Sequence, residues 1–222
     1  MSPKPSHDQL IEALVQNVQK NQGWKPGPPV WRSVLIWVVV SFGFVLFLSL
    51  TTSPPRPNLV HALARPEVAF SLFTLFVAMT AFGTVALTEA IPGRGRATAA
   101  RRTAVISLSS AVATLCLATL HSLGHESAAF GTDPVGSECS VTVFALTLVP
   151  AIALFYRLRR LAPAHPLQMG ALAALGSAVF GAGAVWIYCP VANPLHDLVW
   201  HFLPMVAITA VGGLLGRKML RW

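Results

Sequence analysis

The sequence predicts an all-α integral membrane protein: a six-transmembrane-helix bundle preceded by a short amphipathic N-terminal cytoplasmic helix. Three observations predict it. The 222-residue chain is 54% hydrophobic and only 11% charged, with a mean hydropathy of +0.62, whereas soluble domains carry about a quarter charged residues. Six apolar runs approach the roughly 20 helical residues that cross a bilayer core. Threaded back and forth, these runs leave fourteen of the sixteen Lys and Arg residues on one side, a strong positive-inside bias.

Residues 1–32 form the cytoplasmic tail and residues 33–222 the membrane domain. In "PSHDQLIEALVQNVQK" the apolar residues Leu10, Ile11, Leu14, Val15 and Val18 make one face of a helix of about three turns. Ser6 and Gln9 supply a capping pattern. Gly23 and the prolines of "KPGPP" end the helix. An isolated helix this short is marginal in water, so its apolar face needs a partner. One role is a surface helix on lipid. Such helices are rich in Lys and Arg, however, and here Asp8 and Glu12 oppose an anionic leaflet. The other role is docking into a groove on a cytoplasmic protein.

The first apolar run, Val34–Leu50, begins behind some thirty polar residues. That is too late for a cleavable signal peptide, so the run is expected to remain as an anchor. The others are Val68–Leu87, Thr103–Leu120, Cys139–Tyr156, Leu167–Tyr188 and Leu198–Leu215, none with an acidic or basic residue in its interior. The five connections are short, leaving no room for a folded domain between helices. With both termini cytoplasmic, the bases at 94–102, 157–160 and 217–221 join those of the tail, and only Arg56 and Arg65 face outward. Scattered along membrane edges, these bases account for the net charge of +8. They do not form the single basic face that direct nucleic-acid binding needs.

The reactive side chains gather on the outward side. His61 lies in the first outer connection, His121 and His125 at the end of the third run, Cys139 at the start of the fourth, Cys189 after the fifth, and His196 and His201 around the start of the sixth. Glu126, Asp133, Glu138 and Asp197 join them. Two chemistries suit this set. Thiolate with imidazole selects soft or borderline metals, here copper, zinc or cadmium. Alternatively Cys139 and Cys189 pair as a disulfide, which needs their Cα atoms within about 7 Å. His121 and His125 stand four apart and share a face of any helix that reaches them. His196 and His201 are five apart, about 140° round an α-helix, and are not expected to face one ligand together. His61 reads as a solvated loop residue, and Cys116 as a small packing residue. No catalytic constellation stands out: there is no acidic residue at mid-membrane depth for proton relay and no C-x-x-C pair.

Four segments carry a resemblance. A short "LIEALV" helix and a proline-containing approach precede six hydrophobic helices. A cysteine opens "GSECSVTVFALTLVPAIALFYRLRRLAPAHP", and a second ends the small-residue-rich "GALAALGSAVFGAGAVWIYCP". An aromatic-rich "LHDLVWHFLPM" follows. The whole pattern resembles the NrsF-type integral-membrane anti-sigma factors, negative regulators of sigma F. That resemblance implies a non-enzymatic regulator that holds an extracytoplasmic-function sigma factor at the bacterial inner membrane. It implies a sigma-binding role for the tail face (Leu10, Ile11, Leu14, Val15 and Val18) and a signal-responsive role for Cys139 and Cys189. The added histidines, His121, His125, His196 and His201, leave oxidation and metal both open as the stimulus. The competing reading is a membrane metal-handling or thiol-redox protein that acts at its outer face.

Overall fold

The computed structural model describes residues 8–9, 11–12, 16, 29–51, 55–91, 97–123, 134–161, 163–191 and 193–220. In the tail, residues 8, 9, 11, 12 and 16 are helical and exposed, Ile11 among them, while Leu10, Leu14, Val15 and Val18 lie outside the described residues. The rest is all-helical, with no strand among the described residues. The helices are α1 (Val30–Thr51), α2 (Leu59–Leu63), α3 (Pro66–Glu89), α4 (Thr98–Leu123), α5 (Pro134–Arg159), α6 (Pro166–Val185) and α7 (Pro194–His196). A π-helical stretch (Asp197–Phe202) and α8 (Leu203–Met219) complete the chain. Among the described residues, six segments are long and apolar enough to cross a membrane, the last running unbroken from Pro194 to Met219.

On α1 the buried residues are Ser33, Trp37, Ser41 and Val45, one every fourth position and so one face of the helix. Val39, Leu46, Phe47 and Leu50 are exposed, as a lipid-facing surface requires. The Trp37 indole N–H donates to the Pro150 carbonyl at 3.0 Å. This ties α1 to α5 beside the helix-interior proline, where the backbone ladder already lacks a donor.

The centre of the bundle is α6, buried almost all round and packed on α3, α5 and α8. Its Gly- and Ala-rich sequence makes this possible, because without a hydrophobic drive in lipid, helices associate through close backbone approach. A Cβ on Gly170 would sit 2.5 Å from the Gly212 carbonyl oxygen and 2.6 Å from Gly216 Cα. A Cβ on Gly181 would strike the Thr147 hydroxyl and lie 2.8 Å from the Val143 carbonyl oxygen. Glycine is required at both contacts.

The sequence-expected boundaries differ at two places that matter. The fourth span begins at Pro134, so Cys139 sits in its second turn and does not open it. The sixth begins at Pro194, whose ring fits the first helical position, with Asn193 Oδ1 accepting from the Leu195 N–H at 2.9 Å. That brings Asp197 into the span, where it is buried. The expected run, Leu198–Leu215, left Asp197 outside; the earlier start places it in the first turns of the span.

Candidate functional site

At the bundle end opposite Arg157 and Arg217, four reactive side chains converge. One ligand atom from each of Cys139, Cys189, His196 and His201 lies within 4.8 Å of every other. All four are buried, at 5%, 3%, 7% and 0% exposed.

Three local structures deliver them. Cys189 follows α6 in a turn where the N–H groups of Ile187, Tyr188 and Cys189 return to the Ala184 and Val185 carbonyls at 3.1, 2.9 and 2.8 Å. Pro190 follows and cannot extend the helix. The segment after α1 clasps this turn: the Arg56 backbone N–H donates to the Ile187 carbonyl at 2.9 Å, and Arg56 Nη1 to the Cys189 carbonyl at 3.2 Å. The Arg56 guanidinium also sits 6.0 Å from the Trp186 ring centroid, within cation–π reach.

The histidines owe their meeting to the π-helical turn. In an α-helix residues five apart diverge, but i→i+5 hydrogen bonds bring them to one face. The Leu203 N–H bonds to the Leu198 carbonyl in that pattern. The His196 and His201 rings meet edge to face, with centroids 5.3 Å apart. The expectation that they would not share a site is corrected for this reason. Pro204 explains the break in pattern, since it has no N–H for the Trp200 carbonyl. That freed carbonyl accepts from Ser140 Oγ at 2.9 Å, next to Cys139. Gly136 lies against the Trp200 indole so closely that a Cβ there would overlap the ring. The second turn of α5 and the π-helical turn are therefore locked together, with Cys139 facing the histidines.

Within the cluster the Cys139 thiol donates to Cys189 Sγ at 3.3 Å, and both thiols are free. Cys189 Sγ lies 3.5 Å from His196 Nε2. The hydrogen bond from Cys139 holds the Cys189 thiol well below its ordinary range, against the upward push of burial and with help from His201. His201 Nδ1 is 3.1 Å from Asp197 Oδ1, but off the line of a hydrogen bond. Both His201 ring nitrogens are left without a hydrogen-bond partner. For a fully buried imidazole that is costly, and it marks the ring as aimed at something else.

Of the residues singled out from sequence, Cys139, Cys189, His196 and His201 come together. His121 is exposed at the end of α4 and is not one of the four, and His125 lies outside the described residues. His61 is exposed but lines a cavity of about 140 Å³ together with Arg56, Pro194, Asp197 and Phe202. Sequence reasoning missed Arg56 and Asp197 as supports of the site. Each carried a signal: Arg56 is one of two bases on the base-poor side, and Asp197 stands four residues before His201.

A family model described as "NrsF: Negative regulator of sigma F" matches residues 21–222, so its match begins after the tail residues Leu10 to Val18. Among curated proteins, the chain is 31% identical over 85 residues to the "Probable anti-sigma-F factor NrsF" of Azospira oryzae, an alignment that takes in 38% of this chain. The chain spans 40% of the length of that relative. No solved structure matches it significantly.

Proposed function

The chain belongs to the NrsF family of negative regulators of sigma F, and from that premise we propose that it is a membrane-bound anti-sigma factor. It holds a sigma factor of the extracytoplasmic-function class at the bacterial inner membrane, with both termini cytoplasmic. Leu10, Ile11, Leu14, Val15 and Val18 bury their apolar face on the sigma factor and deny it to RNA polymerase. A metal or an oxidant acting at Cys139 and Cys189 releases it.

The observation that carries this reading is the buried thiol pair, 3.3 Å apart, at the end of the bundle opposite the tail-proximal bases. A ligand at that end can bias the tail only through an element with two arrangements that the ligand distinguishes. The route runs through α1 and α5. Tyr188, next to Cys189, is hydrogen-bonded to α1. At the opposite end of the helix Ser33 accepts from Arg157 Nη2 at 2.8 Å. The competing reading, a metal-handling or thiol-redox protein, needs substrate to reach the site and leave. Four ligands each under a tenth exposed favour a closed sensing site over a turnover site, which keeps an open position.

The test is co-purification from membranes of the full chain with a co-expressed extracytoplasmic-function sigma factor from the same genome. The parent retains the sigma factor, and Leu14→Asp with Val18→Asp loses it while still inserting. Equal retention by the double variant sinks the tail assignment.

A further inference from the structure

We infer that Cys139, Cys189, His196 and His201 form one tetrahedral site for a borderline divalent cation of the zinc and cadmium kind. The inference deepens the proposed function and rests on its reading of this end of the bundle as the place where the signal acts. It names the ligand.

Geometry comes first. Four ligands around a zinc-sized ion, at bond lengths of about 2.0–2.3 Å, stand roughly 3.3–3.8 Å from one another in a tetrahedron. The sulfur–nitrogen separation of 3.5 Å already matches that spacing, and the sulfur–sulfur separation of 3.3 Å need only widen to the roughly 3.8 Å of two zinc-bound thiolates. All four ligand atoms fall within 4.8 Å, so small side-chain rotations close the shell. Two thiolates with two imidazoles in a tetrahedron select zinc-like ions, whereas magnesium and calcium require oxygen ligands.

His201 supplies an independent observation. Its ring is fully buried and neither nitrogen has a hydrogen-bond partner. Asp197 Oδ1 stands 3.1 Å from Nδ1. A small rotation of the His201 ring would turn that proximity into the Nδ1–H···carboxylate hydrogen bond by which a ligating histidine is oriented from its far side, leaving Nε2 for the cation.

Charge favours a dication over a monovalent ion. Bound as thiolates, with any thiol proton passing to solvent, Cys139 and Cys189 cancel a charge of two. The remaining pair, Asp197 and Arg56, line one cavity and balance each other. A monovalent ion would leave one uncompensated charge in a buried site, which is strongly unfavourable. Asp197, beside His201, lines that cavity together with exposed Asn58, His61 and Arg65; the four ligands themselves lie outside its lining.

The experiment uses full-length protein in detergent, reduced, stripped with chelator and titrated with Co²⁺. The expected result is one Co²⁺ per chain with the visible bands of a tetrahedral ion and sulfur-to-cobalt charge transfer, displaced by Zn²⁺. Loss of a group that only hydrogen-bonds to a ligand weakens such sites about 10–100-fold, so His196→Gln and His201→Gln should each weaken Co²⁺ binding at least tenfold. Cys116→Ser should bind like the parent. Should a histidine variant not fold, X-ray absorption of the zinc-loaded parent must give two sulfur and two nitrogen neighbours. An octahedral spectrum, absent charge transfer, a different neighbour set, or undiminished binding by both folded histidine variants overturns the inference. Sigma-factor retention is read in the same preparations. Release by oxidant without tetrahedral Co²⁺ uptake sinks the metal and spares the anti-sigma reading. Tetrahedral uptake with unchanged retention does the reverse.

Discussion

The hydroxyls of Tyr188 and Ser49 lie 2.7 Å apart, and both reach the Val45 carbonyl at 3.0 Å. One hydroxyl donates to the carbonyl and the other to its neighbour, so the residue before Cys189 is fastened to the far end of α1. That helix leads back along the chain to the tail. Tyr188→Phe removes the fastening and little volume. It should cost about 1 kcal/mol of stability, leave the thiol and imidazole cluster in place, and uncouple signal from release. Thermal melting, Co²⁺ titration and sigma-factor retention before and after Zn²⁺ check this. Metal-triggered release as complete as the parent's would rule out α1 as the route.

Cys139→Ser and Cys189→Ser each delete one member of a hydrogen-bonded pair without changing helix composition. Both should insert normally, since the spans remain equally apolar. Each should abolish induction of a sigma-dependent reporter by either class of stimulus. A normal response from both variants removes the cluster from the sensing role.

Much of this was legible in the sequence, and what was not has a physical reason. The six spans follow from apolar runs and the distribution of bases, which are properties of the bilayer and need no tertiary information. The gathering of Cys139, Cys189, His196 and His201 at one end follows from threading alone. The convergence of His196 with His201 does not. It depends on a π-helical turn set by Pro204 and by Ser140 taking the Trp200 carbonyl, a contact across 60 residues that no periodicity reports. The early start of the last span was available in Asn193-Pro194. An apolarity criterion passed over it because Asp197 interrupts the run.

Gly136 offers a way to disturb the cluster without touching it. Because a Cβ there would overlap the Trp200 ring, Gly136→Val must push Trp200 and the π-helical turn away from α5. Overpacking of this kind costs about 1–3 kcal/mol. The Ser140–Trp200 hydrogen bond should be lost, and Cys139 should separate from His196 and His201. Co²⁺ affinity is expected to fall while the thiol count stays unchanged. Parent-like affinity in a folded variant would mean that the π-helical turn does not need α5 for its register.

The opposite end of α6 tests the fold independently of the site. Gly170 meets Gly212 and Gly216 backbone to backbone, so Gly170→Leu forces α6 and α8 apart where no side chain can yield. We expect a loss of about 3 kcal/mol or more, read as a lower melting temperature in detergent. Gly43→Leu, on α1 where a Cβ would meet nothing within 4 Å, should cost far less. Equal destabilisation by both would mean that the α6–α8 contact is not what holds the bundle.

Asp197 separates the two roles a buried carboxylate can have here. If it only balances Arg56, Asp197→Asn leaves a lone buried cation, and the protein should lose stability whether or not metal is bound. If it also orients His201, the loss should extend to the site: Co²⁺ affinity should fall about 10–100-fold with the tetrahedral spectrum preserved, since all four ligands remain. The 3.1 Å separation from His201 Nδ1 favours the second outcome. The paired change Arg56→Gln with Asp197→Asn restores charge balance but not the carboxylate. It should therefore recover stability and not affinity, and recovery of both would reduce Asp197 to a counter-ion.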